Sequence, residues 1–238
     1  MTANRIEELT EYFGKLGIAY RGTRRHWEKD GGDELYGPYR GATLKVFTER
    51  MGQRANAGPV ALPDSASYRM YYMQYMRVSI AITPAVKPNI GVIPRKDHAL
   101  IGKHDQPIVN GHLEWVGKYG VGGDLLHCSY IAADRMLSVG VPEFDAQFGV
   151  VCPDEEHARA LFSPALAAWF VADARTQATN GTRIAFGDEC VHVFFRLAQL
   201  PNVLELFTPE IIFPAADYLL DLLAHAPANL VRAAPYQG

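Results

Sequence analysis

The chain predicts an α+β fold, a mainly antiparallel β-sheet with helices packed on it, in one domain over residues 1–238. Three observations lead there. The stretch YRMYYMQYMRVSIAIT (68–83) has the β-branched and aromatic enrichment of a strand. Two hairpin patterns, 41–50 with 68–83 and TRIAFGDECVHVFFRL (182–197), bring strands together antiparallel. Helix starts are signalled by Asp154, by Ser163-Pro164 and by Thr208-Pro209.

Taken in order, residues 4–16 place Ile6, Leu9, Phe13 and Leu16 at three- and four-residue steps, the period of an amphipathic helix. Gly17 offers it a left-handed cap. Residues 18–38 mix charge with Gly and Pro and read as loop. GATLKVFTER (41–50) alternates through Leu44 and Val46 and reads as a strand. It pairs with 68–83 across a turn-rich, mobile tip at 51–67. The tyrosines and methionines of 68–83 are expected to pack the sheet rather than form a binding platform. Residues 84–126 form a long irregular insertion, the first place to look for a ligand.

Two further strands are expected near 135–140 and 145–151, around the break at Pro142-Glu143. In VPEFDAQFGVVCPDEEHARALF (141–162), Phe144 and Phe148 are core anchors and Asp154 is an N-cap. Glu155 and Glu156 favour the positive helix end, and His157 is expected to face solvent. Ser163-Pro164 restarts the chain as a kinked helix or a second helix through Leu166, Trp169 and Phe170. In the 182–197 hairpin, Cys190, His192 and Phe194 alternate with Val191, Val193 and Phe195. Both faces are apolar, so this strand is expected to lie centrally. The last helix buries Ile212, Ala216, Leu219, Leu222 and Leu223, and the tail after about residue 228 is expected to be loose.

Composition narrows the partners. Apolar residues make up 48% and charged residues 21%, as in ordinary globular proteins. The net charge is −3, so no basic field points to nucleic acid; the run Arg21, Arg24, Arg25, Lys29 reads as a solvated loop. The three cysteines, at 128, 152 and 190, are dispersed and odd in number. That argues against a disulfide framework and a structural zinc, and for a reducing cytoplasm. The first residues lack a signal-peptide pattern, and no run of about 18 apolar residues would span a membrane. Peripheral association stays compatible with the sequence.

Several constellations could carry chemistry. Cys152 precedes a helix start, but the acids at 154–156 disfavour a thiolate, and His157 is a turn away. His127 and Cys128 are adjacent and would point to opposite faces of a strand. Cys190 and His192 share a face, beside Phe194, as in a packed interior. Asp97, His98, His104, Asp105, His112 and Glu114 offer zinc or iron ligands, but their spacings fit no helical ligand pair. The glycines at 117, 120, 122 and 123 match neither a phosphate loop nor a dinucleotide fingerprint, and no G-x-S-x-G elbow occurs. No catalytic residue and no cofactor are therefore assigned.

The pieces RIEEL (5–9), GPYRGATLKVF (37–47), FDAQF (144–148), PDEEHARALFSPALAAWF (153–170) and TPEIIFPAADYLLDLLAHAP (208–227) follow one another in an order with a parallel elsewhere. They resemble an uncharacterised domain of actinobacterial proteins that are often membrane-attached. The resemblance spans nearly all of the chain; the departures are the lack of a membrane segment and the 84–126 insertion. It implies a fold kind and a bacterial origin, and it brings no activity with it.

The function expected is a non-catalytic cytoplasmic binding or accessory domain that acts through a protein partner. One alternative is a metal-dependent or other hydrolase using residues 97–127, with His98, His104 and His112 converging on one pocket. Another is a self-assembling structural protein in which Tyr68–Tyr75 is an exposed edge.

Overall fold

A computed structural model describes residues 2–21, 34–54, 70–85, 90–95, 137–152, 155–178, 183–187, 189–196 and 208–237. Among them are nine strands, β1 (Ala19–Arg21), β2 (Glu34–Tyr39), β3 (Ala42–Arg54), β4 (Met70–Pro84), β5 (Ile90–Pro94), β6 (Phe148–Val151), β7 (Arg183–Phe186), β8 (Cys190–Arg196) and β9 (Val231–Ala233). Six helices accompany them: α1 (Thr2–Lys15), α2 (Pro142–Gln147), α3 (Glu155–Leu161), α4 (Pro164–Ala172), α5 (Ala174–Ala178) and α6 (Pro209–His225). The strand order is β1-β2-β3-β4-β8-β7-β5-β6, with β9 on β4, and every pairing is antiparallel. The α+β class is thus the one the sequence predicts.

The register explains the two faces. Leu35, Val46, Val78, Val193, Ile184, Val92 and Val150 stand opposite one another in turn, an unbroken aliphatic row across seven strands. The helices lie on this side. Phe162, after α3, meets Phe186 of β7 edge-on at 6.1 Å, and Phe213 of α6 stacks on Tyr39 of β2 at 5.0 Å. Phe13 of α1 meets Phe213 at 6.1 Å. Phe144 of α2 lies within 5.3 to 5.6 Å of Phe148, Phe162 and Phe170, so both anchors at 144 and 148 are interior, as expected. Such ring contacts add to the gain from burying apolar area.

Local signals account for most boundaries. The Ser163 hydroxyl accepts from the Leu166 amide and Pro164 occupies the first helical position, so α3 and α4 are two consecutive helices. Gly17 ends α1 with φ 73°. Arg40 (φ 49°) and Gly41 (φ 79°) close a two-residue turn between β2 and β3, the positive-φ geometry that suits hairpin twist. The predicted stripe Ile212, Ala216, Leu219, Leu222 and Leu223 of α6 is buried. The 182–197 hairpin forms as β7 and β8, and β8 lies between β7 and β4.

Five expectations need correction. The stretch read as loop, 18–38, contains β1 and β2. Their signal is hidden because Gly37 replaces an inward side chain: a Cβ there would sit 2.6 Å from the Ile18 backbone, so only glycine lets the chain cross. Leu16, expected on the apolar face of the first helix, lies just after α1 and is 46% exposed. Of the strand expected at 135–140, the described residues 137–140 show one bridge, Leu137 to Val150, and 145–151 divides into α2 and β6 because Pro142 starts a helix. The insertion at 84–126 is not wholly irregular, since β5 joins the sheet between β7 and β6. The tail after 228 is not loose: β9 pairs with Ile82–Pro84, and Val231 is buried. Of the tip expected at 51–67, residues 51–54 extend β3, while 55–67 lie outside the described residues, as does Asp154.

Candidate functional site

The aliphatic row has a counterpart on the other face. There Tyr36, Lys45, Ser79, His192, Ala185 and Gly91 stand opposite one another across six strands. Two polar residues fall in the middle of this row, where both flanking strands are apolar-rich. Ser79 is 0% exposed and His192 is 7% exposed. Ser79 Oγ lies 2.7 Å from His192 Nδ1. Gly187 makes room for the ring, since a Cβ at that position would lie 3.3 Å from Nε2. Cys190 lies on the same face of β8, paired with Ala81 of β4.

A serine hydroxyl against an imidazole nitrogen is the contact that a nucleophile and its base require. The second requirement is access to a substrate atom, and a hydroxyl with no exposed surface does not meet it. What the pair does is satisfy two buried polar groups across the β4–β8 seam. An unpaired hydroxyl or imidazole in that position would cost about 1–3 kcal/mol. A slip of one residue would set Ser79 against an aliphatic neighbour, so the pair also selects the register.

The other polar clusters serve the fold. The Asp145 carboxylate accepts from Ser138 Oγ and from the Val139 and Gly140 amides, the latter two at 2.9 Å. Burial pushes its carboxyl up, but those three donors and the nearby Arg95 guanidinium outweigh it, leaving it below the ordinary aspartate value. Arg95 Nε donates to the carbonyls of Asp145 and Phe148. The Tyr39 hydroxyl donates to Asp217 at 2.8 Å, and Arg40 pairs with the same carboxylate at 3.1 Å. Burial and then the Asp217 bond push the Tyr39 phenol up to about 12.

A third cluster joins α4, α5 and α6. Arg175 bonds Asp173, which it holds below the ordinary carboxylate range, and pairs with Asp221 at 2.8 Å. Thr176 and Tyr218 share a hydrogen bond of 2.7 Å, and burial raises the Tyr218 phenol. Trp169 stacks on Tyr218 at 5.7 Å and on His225 at 4.8 Å.

Sequence-predicted site residues fall into two groups. Asp97, His98, His104, Asp105, His112, Glu114, His127 and Cys128 lie outside the described residues. Cys152 precedes α3 and is half-buried, and His157, expected to face solvent, is half-buried in the first turn. Cys152 and Cys190 stand as thiols. Among the described residues, no group of three His, Cys, Asp or Glu is placed to hold a metal ion. Ser79 carried no signal in the sequence, because its partner is 113 residues away and only strand pairing brings them together. No protein-family model, curated protein or solved structure matches the chain.

Proposed function

We propose that this chain is a non-catalytic binding or accessory module acting through a protein partner, in the cytoplasm. The observation that carries the reading is an exposed apolar pair at the end of α1. Tyr12 and Leu16, one turn apart, are 45% and 46% exposed. α1 packs beside β1, a three-residue strand at the end of the sheet order among the described strands. Apolar side chains beside a sheet edge gain most from being covered by another protein. Two further features support the reading. The Ser79 hydroxyl is buried against His192, and the carboxylates of Asp145, Asp173 and Asp217 are bound within the fold. The thiols of Cys152 and Cys190 suit a reducing compartment.

The test is affinity capture with the tagged chain from lysate of its own cells, beside a Tyr12→Glu/Leu16→Glu variant. A reproducible protein that the variant recovers at least about tenfold less well, corresponding to a loss of about 1.4 kcal/mol, supports the proposal. Equal recovery by both, or no reproducible protein at all, defeats it.

A further inference from the structure

We infer that the fork between β3 and β4 is a strand-accepting slot, filled by the segment after α6, and that the same segment of a second copy of this chain can fill it instead. This inference is independent of the partner reading of α1. β3 and β4 pair directly as far as Leu44 and Ile80, then part. Where Thr43 and Ala81 would face each other, Ala234 stands between them. Its N–H donates to the Ala81 carbonyl at 2.7 Å, and its own carbonyl accepts from the Thr43 amide at 3.1 Å. Ala42 bridges to Pro235, while β9 pairs residue by residue with Ile82, Thr83 and Pro84. The Ala85 amide donates to the Leu230 carbonyl at 2.8 Å, continuing the same ladder.

The slot therefore reads backbone rather than side chains. Of the segment 231–237, only Val231 is buried; Arg232 and Pro235 are exposed, and Ala233 and Ala234 are small. Pro84 is tolerated because Ala81 and Ala85 supply the ladder bonds on this side of β4, and position 84 falls between them. Backbone recognition of an added strand is sequence-tolerant, and an identical segment satisfies it fully. A hinge is present: residues 227–230 form a turn in which the Pro227 carbonyl accepts from the Leu230 and Val231 amides. If that turn opens, the exchanged pair regains every bond that the closed chain loses. The closed form is then favoured mainly by effective concentration, of the order of ~1 mM for a short connection. Exchange is accordingly a minor, concentration-dependent state.

Thr83 and Arg232 face each other across the slot and are both exposed. Chains carrying Thr83→Cys and chains carrying Arg232→Cys are folded separately, mixed and oxidised mildly. The linked peptide joining positions 83 and 232 is then quantified by mass spectrometry, which separates it from links through the native cysteines. The expected result is an intermolecular 83–232 link whose yield per chain rises roughly tenfold when the concentration is raised tenfold. The double variant Thr83→Cys/Arg232→Cys should link within one chain. If the double variant links internally while the mixture gives no 83–232 product, the inference is overturned. It also falls if the double variant fails to link, because the register would then be wrong. Amide exchange of the unaltered chain gives a reading that no variant can spoil. The amides of Ala85 and Ala234 should exchange at least about tenfold faster than those of Val191 and Val193, as expected of a segment that opens below the global barrier. Equal protection would overturn the inference.

Discussion

Replacing Ser79 by alanine isolates the part played by the buried polar pair. The hydroxyl has no exposed surface and one bond of 2.7 Å to the imidazole of His192. Its loss leaves Nδ1 of His192, a residue 7% exposed, without that partner. A buried polar atom left in this way costs about 1–3 kcal/mol, whereas the bond itself contributes about 0.5–1.5 kcal/mol net. Ser79→Ala should therefore cost about 2 kcal/mol, and His192→Leu a similar amount. The double variant should cost less than the sum by about 1 kcal/mol, because removing both ends of this bond leaves neither of its two atoms stranded. For a chain of this size about 2 kcal/mol corresponds to roughly 4–8 °C in Tm. Urea unfolding of the four proteins at pH 7, followed by far-ultraviolet circular dichroism, gives the coupling directly. A coupling energy under about 0.3 kcal/mol would refute the reasoning. So would labelling of Ser79 by a fluorophosphonate, which needs a reachable hydroxyl.

Three other outcomes are expected. Phe144→Ala removes a ring in contact with Phe148, Phe162 and Phe170 and should cost about 3–5 kcal/mol, while Phe144→Leu costs less than half of that; calorimetry or urea titration checks both. Asp145 has its carboxyl held below the ordinary value, so its stabilisation is full above the unfolded value near about pH 3.9 and is lost as pH falls through the lower, folded one. Asp145→Asn should lower stability at neutral pH by about 1 kcal/mol, allowing for screening, and flatten the acid limb of the stability curve; an unchanged acid limb counts against the Ser138–Gly140 cradle. Tyr39 is raised to about 12, so its neutral phenol stabilises the fold below about pH 10 and that contribution fades as pH rises toward 12. Ultraviolet titration should show Tyr39 and Tyr218 both ionising late, with the Tyr39 component moving earlier in Asp217→Asn; no such shift would disprove the Tyr39–Asp217 bond.

The parts of the fold that the sequence displays are those set by nearby residues. Ser163-Pro164 and Thr208-Pro209 mark helix starts locally, by the Ser163 cap and by a proline at the first helical position of each, and the stripe of α6 repeats within 12 residues, from Ile212 to Leu223. The 182–197 hairpin is legible for the same reason. What stays hidden depends on remote partners. β1 and β2 lack a clear pattern because Gly37 is chosen by its contact with Ile18, not by strand propensity. β9 has three residues and exists only because β4 offers it a ladder. Phe144 and Phe148 are legible as interior residues from their apolar character, but the helix that carries Phe144 is set by Pro142. At the candidate site, His192 is legible as a residue of an interior strand. Ser79 is one serine in a tyrosine- and methionine-rich run, and nothing local distinguishes it.

The strand order has a kinetic corollary. β1 to β4 come from residues 19–84 and β5 to β8 from residues 90–196, so each half of the sheet can assemble from its own stretch of chain. The halves meet at one junction, β4 against β8, whose partners are separated by more than a hundred positions. Loop-closure entropy delays such a junction relative to local hairpins. Until it closes, each half presents a long edge of unsatisfied amides and carbonyls, a template for pairing with the wrong chain. A serine and a histidine that match at only one alignment favour that docking over its one-residue neighbours.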